Sequence, residues 1–185
     1  MGLLDFWRRW QEEGREMIAR QEALEAQVGA LPMDRARHLV DRLLADRDYV
    51  TTKPALAGLQ RPEALAALSL NNRELFARCG SMTTRDRSLT IDRVEHGSGN
   101  QLNGLLVLGL AWLELLIVCL PGEDPVWGVT GEHRPEERAE TIQPSLHHFI
   151  LSVLASRAPD RLEALLGSDP GPLTTSAQTL GEVRP

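Results

Sequence analysis

An apolar run that ends in a proline-glycine turn limits the fold of this chain more than any other feature of its sequence. Residues 102–120 are almost entirely apolar, and the run is long enough to cross a bilayer as one helix. Asn103 and Glu114 lie inside it, however, and an acid at the centre of a membrane helix costs about 2.5–3.5 kcal/mol. Gly104 and Gly109 interrupt the run further. We therefore predict two adjacent buried strands and no membrane span.

The sequence around this run predicts further strands. Residues 88–94 alternate polar and apolar side chains, as a half-buried strand does. The segment 121–125 (PGEDP) is typical of a turn between strands, because glycine tolerates a positive φ and proline is compatible with an edge position. The predicted strands are residues 88–94, 105–110, 113–120, 126–129 and, as a short edge strand, 140–143.

Helical periodicity is found on both sides of the predicted sheet. The predicted helices are residues 3–28, 33–46, 62–68, a helix capped by Asn71 or Asn72 and ending near Arg78, residues 144–155, and a last helix from Pro159 or Asp160 to Gly167. Residues 51–60 contain Pro54 and Gly58 and are predicted to be a connection.

This order of elements predicts an α+β fold. It is an antiparallel sheet of about four to five strands covered by helices on one face, with a long N-terminal helical extension. We divide the chain into an N-terminal helical segment (residues 1–48), an α+β domain (residues 49–167) and a polar, turn-rich tail (residues 168–185) that is predicted to be disordered.

Composition and charge narrow the class of protein. Hydrophobic residues are 42% of the chain and charged residues 25%, which is typical of a soluble globular protein. The formal net charge of −6 argues against a nucleic-acid-binding face, which would leave a basic footprint. The two cysteines, Cys79 and Cys119, are predicted to be buried and reduced, and the first residues do not resemble an export signal. The predicted location is the cytoplasm.

The first predicted helix concentrates the aromatic residues. Aromatic residues are only 4% of the chain, yet Phe6, Trp7 and Trp10 lie together in this helix. Its seam positions from Leu3 to Val28 recur at alternating spacings of four and three residues, the pattern of a helix-packing seam. Two interpretations remain open: the helix docks on its own domain, or it presents its aromatic residues to a partner or a membrane surface.

No group of residues has the spacing of a catalytic or metal site. His147 and His148 are adjacent, so on a helix they do not share a face as an i, i+4 pair of metal ligands would. No serine lies in a GxSxG elbow, and Cys79 lacks the spacing signature of a cysteine nucleophile. We therefore predict that the protein is not an enzyme and needs no metal or cofactor. A small cysteine hydrolase using Cys79 is kept as a third hypothesis.

The central and C-terminal part of the chain resembles the SUKH superfamily, which contains cell-wall-regulator-like and bacterial toxin-immunity proteins. The motifs that carry the resemblance are ELFARCG (residues 74–80), LTI (89–91), VLGL (107–110), PGEDPVW (121–127), Ser145-Leu146 and HFI (148–150). The chain departs from the family pattern at Ala111, where an acidic residue is common. The N-terminal helix also falls outside the resemblance.

The resemblance implies a non-catalytic protein-binding module that neutralises a cognate bacterial toxin by direct binding. An acidic module is suited to a basic toxin domain, because complementary charge speeds association. The candidate partner-binding residues are Glu95, Glu123, Asp124, Trp127 and Glu132, of which Trp127 is either a contact residue or part of the core.

The competing hypothesis is an adaptor or oligomerising protein that recruits a partner, or forms a homodimer, through its N-terminal helix. The candidate residues of this alternative are Phe6, Trp7 and Trp10.

Overall fold

A computed structural model describes residues 3–53, 62–98, 102–112, 115–129 and 142–168, without the side chains of residues 3–9 and 93. The described residues form six helices and six strands, which confirms the α+β class. In chain order they are α1 Leu3–Gly29, α2 Met33–Ala45, β1 Val50–Lys53, α3 Pro62–Ala66, α4 Leu70–Cys79, β2 Ser81–Thr84, β3 Leu89–His96, β4 Leu106–Ala111, β5 Leu115–Cys119, β6 Val126–Val129, α5 Leu146–Arg157 and α6 Pro159–Gly167.

The apolar run that opened the sequence analysis forms two neighbouring strands of an antiparallel sheet. β4 pairs with β5 from Leu106–Cys119 to Ala111–Leu115, so the run folds back on itself. Gly109 is required here, because a Cβ at this position would lie 2.2 Å from the Thr90 carbonyl oxygen on β3. Among the described residues, no helix combines the length and apolarity needed to cross a membrane.

The strands follow one another in sequence order, from β1 at one edge to β6 at the other. Our prediction of about four to five strands was low, because it missed β1 and β2 and treated residues 51–53 as part of a connection. These strands, VTTK and SMTT, have four residues each and are largely polar. A segment of this length is too short for an alternation of polar and apolar residues to be recognised. Of the predicted edge strand at residues 140–143, Gln143 forms an isolated bridge with Val126, and residues 140–141 lie outside the described part.

The main hydrophobic core lies between one face of the sheet and the helices. α5 occupies its centre: nine of its twelve residues are buried, and it packs against α1, α2, α4, α6 and β6. Leu24 and Val28 of α1 and Leu39 of α2 belong to the same buried cluster as Ile91 on β3. The helical segment that we delimited at residue 48 therefore shares its core with the sheet.

A second, smaller apolar cluster lies on the other face of the sheet. It contains Leu105, Val107, Val118 and Trp127, which are all buried. Val107 on β4 pairs with Val118 on β5, which pairs with Trp127 on β6, so these three side chains form one row across the strands. We call this set of four residues the back-face cluster.

The N-terminus of α4 differs from the prediction that Asn71 or Asn72 is the cap. Ser69 is the N-cap, and its hydroxyl accepts a hydrogen bond from the Asn72 N–H. Because the cap is provided by serine, the side-chain amide of Asn72 is available for contacts with other elements.

Asn72 joins three elements that are far apart in the sequence. Its fully buried side-chain Nδ2 donates to the carbonyl oxygens of Glu123 (3.3 Å) and Asp124 (3.1 Å) in the β5–β6 turn. Its Oδ1 accepts from the Leu146 N–H (3.1 Å) at the start of α5. An amide suits these contacts, since its side chain supplies two N–H donors and an acceptor oxygen together.

We expect Asn72→Ala to lower the free energy of unfolding by about 2–4 kcal/mol, because it leaves buried backbone groups without hydrogen-bond partners. Urea denaturation measures this loss. The comparison variant is Asn71→Ala, which removes the neighbouring amide and should cost less, because Asn71 and its partners Arg37 and Asp124 are only half-buried. Equal losses for the two variants would contradict this role of Asn72.

Candidate protein-binding surface

α1 consists of a docked half and a projecting half. Leu24 and Val28, in its C-terminal part, are buried in the main core. Arg20, one turn before Leu24, attaches α1 to α6, because its guanidinium bonds Asp160 at 2.5 Å and Glu163 at 2.6 and 2.8 Å. The hydrogen bonds from Arg20 lower the pKa of Glu163 below its ordinary value. Arg20 therefore ties the middle of α1 to α6.

The projecting half carries an unusual amount of exposed apolar surface. Every residue from Trp10 to Arg20 is exposed except Gly14, which is half-buried. Trp10 is 59% exposed, Met17 66% and Ile18 57%, and these three are half of the six large exposed hydrophobic residues found in the described residues. Residues 10–19 extend about 15 Å along the helix axis. Apolar surface of this kind on a helix is typical of a protein-binding site.

Trp10, Gly14 and Met17 continue the four-three spacing that reaches the core at Leu24. A Cβ at Gly14 would meet no atom within 4 Å, so there is open space between the two large side chains. A gap flanked by Trp10 and Met17 can receive a side chain from a facing helix, as in knobs-into-holes packing. We call Trp10, Gly14, Met17 and Ile18 the α1 seam.

The docking interpretation is confirmed for the C-terminal part of the helix, where Leu24 and Val28 are buried. Trp10 is exposed, and the partner-binding interpretation of this residue stays a prediction. Phe6 and Trp7 lie within α1, and their side chains are outside the described part of the structure. Ile18 was missed because it is one residue away from the seam positions that we counted.

The acidic candidates of the immunity hypothesis are placed differently from one another. Glu95 pairs with Val107 across β3 and β4, which adds it to the cross-strand row that contains Trp127. Glu123 is exposed in the β5–β6 turn. Glu132 lies outside the described residues.

Trp127 and Asp124 prove to be more enclosed than partner-binding residues need to be. Trp127 is only 5% exposed and belongs to the back-face cluster, so it presents little surface to a partner. The Asp124 carboxylate is half-buried and accepts a hydrogen bond from Asn71 Nδ2 at 2.7 Å. Asn71 in turn accepts one from Arg37 at 2.6 Å, so Asp124 attaches the turn to α4 and α2. A local pattern of loop acids could not reveal these contacts.

The residues considered for catalysis are buried and weakly reactive. Cys79 is buried, and burial raises the pKa of its thiol to about 11. Burial, together with Glu123 and Asp124, raises the pKa of Cys119 to about 12. A thiol with such a pKa carries almost no thiolate at neutral pH, which is the nucleophilic form. Among the described residues no three His, Cys, Asp or Glu side chains are grouped to hold a metal.

His147 and His148 have different environments although they are adjacent on α5. His148 Nε2 donates to the Leu31 carbonyl oxygen at 3.0 Å, and its Nδ1 lies 2.8 Å from the Ser145 hydroxyl. Both ring nitrogens of His147 are buried without a hydrogen-bond partner among the described residues. Burial, assisted by the nearby Arg37 and Arg78 cations, lowers the pKa of His147 to about 4. His147 is therefore a neutral, space-filling core residue at neutral pH.

Comparison with known proteins gives no relative. No protein-family model matches the chain, and no significant match is found among curated proteins or among solved structures. The resemblance to the SUKH superfamily therefore stays a prediction.

We expect His147 to make the protein sensitive to acid. As the pH falls below about 6.5, the unfolded chain binds a proton at this imidazole, whereas the folded chain does so only near a pH of about 4. Stability that is fully present above pH 6.5 is therefore lost between these values, at a slope of up to about 1.4 kcal/mol per pH unit.

The variant His147→Leu should remove this part of the pH dependence, as measured by urea denaturation at several pH values. The exposed His38 on α2 provides the matched control, and His38→Gln should retain the wild-type slope. Parallel stability curves for His147→Leu and the wild type between pH 6.5 and 4 would show that His147 is not buried in neutral form.

Proposed function

We propose that this protein is a cytoplasmic, non-catalytic protein-binding module that binds through the projecting half of α1. The observation that carries the proposal is the exposure of Trp10, Met17 and Ile18 on a helix whose other half is fixed in the core. A helix anchored at one end presents its exposed face in a constant orientation, which lowers the entropic cost of binding.

The occupant that we propose for the α1 seam is the same segment of a second copy. An antiparallel pair of helices with a two-fold axis at Gly14 places residue i opposite residue 28 − i of the other copy. Trp10 then packs against the second copy's Ile18, and Glu13 lies opposite its Arg15. The same axis places Glu12 opposite Glu16 and Met17 opposite Gln11, so complementarity is confined to the Trp10–Ile18 and Glu13–Arg15 pairs.

This pairing should be weak and dependent on concentration. The ten described residues 10–19 offer one short helix face, and stable complexes usually bury about 1,200–2,000 Å² in total. The space at Gly14 permits close approach, and Trp10 is the residue type that most often dominates binding energy. We therefore expect a dimer that dissociates on dilution.

Analytical ultracentrifugation over a range of concentrations tests this proposal. The wild type should dimerise at micromolar to submillimolar concentration. The double variant Met17→Glu with Ile18→Glu should remain monomeric, because it buries charge without a partner in the interface. Both positions are exposed, so the variant should keep the wild-type melting temperature within a few degrees.

A matched control is available on α4. Leu70 is 70% exposed and remote from α1 in the sequence, so Leu70→Glu makes the same chemical change on another surface. It should dimerise as the wild type does. A wild type that stays monomeric at millimolar concentration, or a double variant that dimerises normally, would refute the α1 pairing.

A second candidate function is neutralisation of a bacterial toxin, the role implied by the SUKH resemblance. It is supported by the exposed Glu123 and by Glu95, which adjoins the back-face cluster. This candidate requires that a neighbouring gene encode a toxin whose basic domain binds the chain with an affinity that falls as salt rises. Binding that persists in a Glu123→Lys variant and is insensitive to salt would argue against an acidic interface.

A further inference from the structure

One end of the sheet carries a small cleft that the protein-binding proposal does not use. Asp86, Arg87, Ser88, Trp112 and Arg157 line it, and its volume is about 370 Å³. The β2–β3 turn and the residue that follows β4 are tied together here, because the Trp112 N–H donates to the Ser88 carbonyl oxygen at 2.8 Å. Arg157, in the last turn of α5, forms the opposite wall. A volume of this size falls within the range of small-molecule sites.

The arginines at this cleft differ from the others in the described part of the chain. Elsewhere the guanidinium groups have hydrogen-bond or ion-pair partners, such as Asp160 and Glu163 for Arg20 and Asp41 for Arg78. The described arginines whose side chains have no such partner are Arg85, Arg87 and Arg157, and all three lie at the cleft or in the adjoining turn. The end of α5 favours a cation at Arg157 through the helix dipole, but this does not provide a partner.

Asp86 is the one carboxylate among the described residues that line the cleft, and it does not neutralise these cations. Asp86 Oδ1 accepts hydrogen bonds from the Ser88 N–H (3.0 Å) and the Ser88 hydroxyl (2.8 Å), which hold it in the turn. The two arginines and one aspartate that line the cleft give a charge of +1 (2 − 1), and Arg85 in the adjoining turn adds a further positive charge, in a chain whose formal net charge is −6. The positive charge is therefore concentrated at a concave surface, where it is most effective in attracting an anion.

Backbone strain is concentrated at the same place. The non-glycine residues with positive φ in the described structure are Arg87 (φ 58°) and Trp112 (φ 52°), and both line this cleft. A non-glycine residue in this region costs about 1–2 kcal/mol, and glycine would avoid the cost. Strain that persists at two contacting turns is typical of a site where side-chain placement matters more than stability.

We propose that this cleft binds a small molecule through an oxyanion, held between Arg87 and Arg157 with the Trp112 side chain as an apolar wall. Guanidinium groups bind carboxylate and phosphate oxygens with charge-assisted, often bidentate hydrogen bonds. Two arginines without partners, on separate elements that enclose the same space, provide such donors without breaking an existing ion pair. Carboxylate and phosphate ligands both carry such an oxyanion, so these are the two classes of ligand that the cleft could bind.

Isothermal titration calorimetry and thermal melting with inorganic phosphate and with acetate, at matched ionic strength against chloride, test the site. The wild type should bind at least one of these probes, and at ten times its dissociation constant the melting temperature should rise by about 3–6 °C. The probe that binds more tightly identifies the class of oxyanion. Variants Arg87→Gln and Arg157→Gln should each weaken binding at least about tenfold, as expected for a charge-assisted hydrogen bond.

Two further variants test whether binding depends on the arginines of the cleft, rather than on positive charge in general or on backbone strain. Arg47→Gln removes an exposed cation near the same end of the sheet that does not line the cleft, and it should bind as the wild type does. Arg87→Gly should raise the melting temperature of the free protein by about 2 °C or more through relief of strain, yet weaken binding. The proposal would be overturned if neither probe bound, or if Arg87→Gly bound as tightly as the wild type. It would also be overturned if the probes bound all variants equally, since such binding is adventitious.

Discussion

The burial of α5 is the interaction on which the rest of the structure depends. This helix is enclosed by the sheet and by α1, α2, α4 and α6. Ser145 caps its N-terminus, Asn72 binds the Leu146 N–H, and His148 reaches back to Leu31 at the end of α1. With nine of its twelve residues buried, this helix contacts other elements around most of its circumference, so it fixes the positions of the elements around it.

This arrangement separates the parts of the molecule that stabilise it from the parts that are available to bind. The C-terminal half of α1 is held by α5 and by the ion pairs of Arg20, whereas Trp10, Met17 and Ile18 in the preceding part are exposed. Similarly, Arg157 is positioned by the buried body of α5 but contributes its own side chain to a surface cleft. The α1 seam and the arginine cleft are thus two surfaces presented by one rigid core.

Much of the fold could be predicted from the sequence, and the failures have physical causes. The long helices α1, α2 and α5 were recognised because their apolar spacing persists over more than ten residues, and β4 and β5 because Glu114 and the glycines exclude a membrane helix. β1 and β2 were missed because four polar residues carry no measurable period. The division of α1 into a docked half and an exposed half could not be predicted, since Trp10 and Leu24 occupy equivalent positions of one repeat. The cleft joins residues 86–88, 112 and 157, which only the tertiary fold brings together.

Hydrogen exchange of α1 as a function of protein concentration tests the central claim most directly, because it reports on both halves of the same helix. Amides of residues 20–29 should exchange slowly at every concentration, because their half is fixed to α5 and α6. Amides of residues 10–18 should exchange rapidly in the dilute monomer and slowly in the concentrated protein. Slow exchange of residues 10–18 at all dilutions, or fast exchange at all concentrations, would contradict a projecting helix that is completed by a partner.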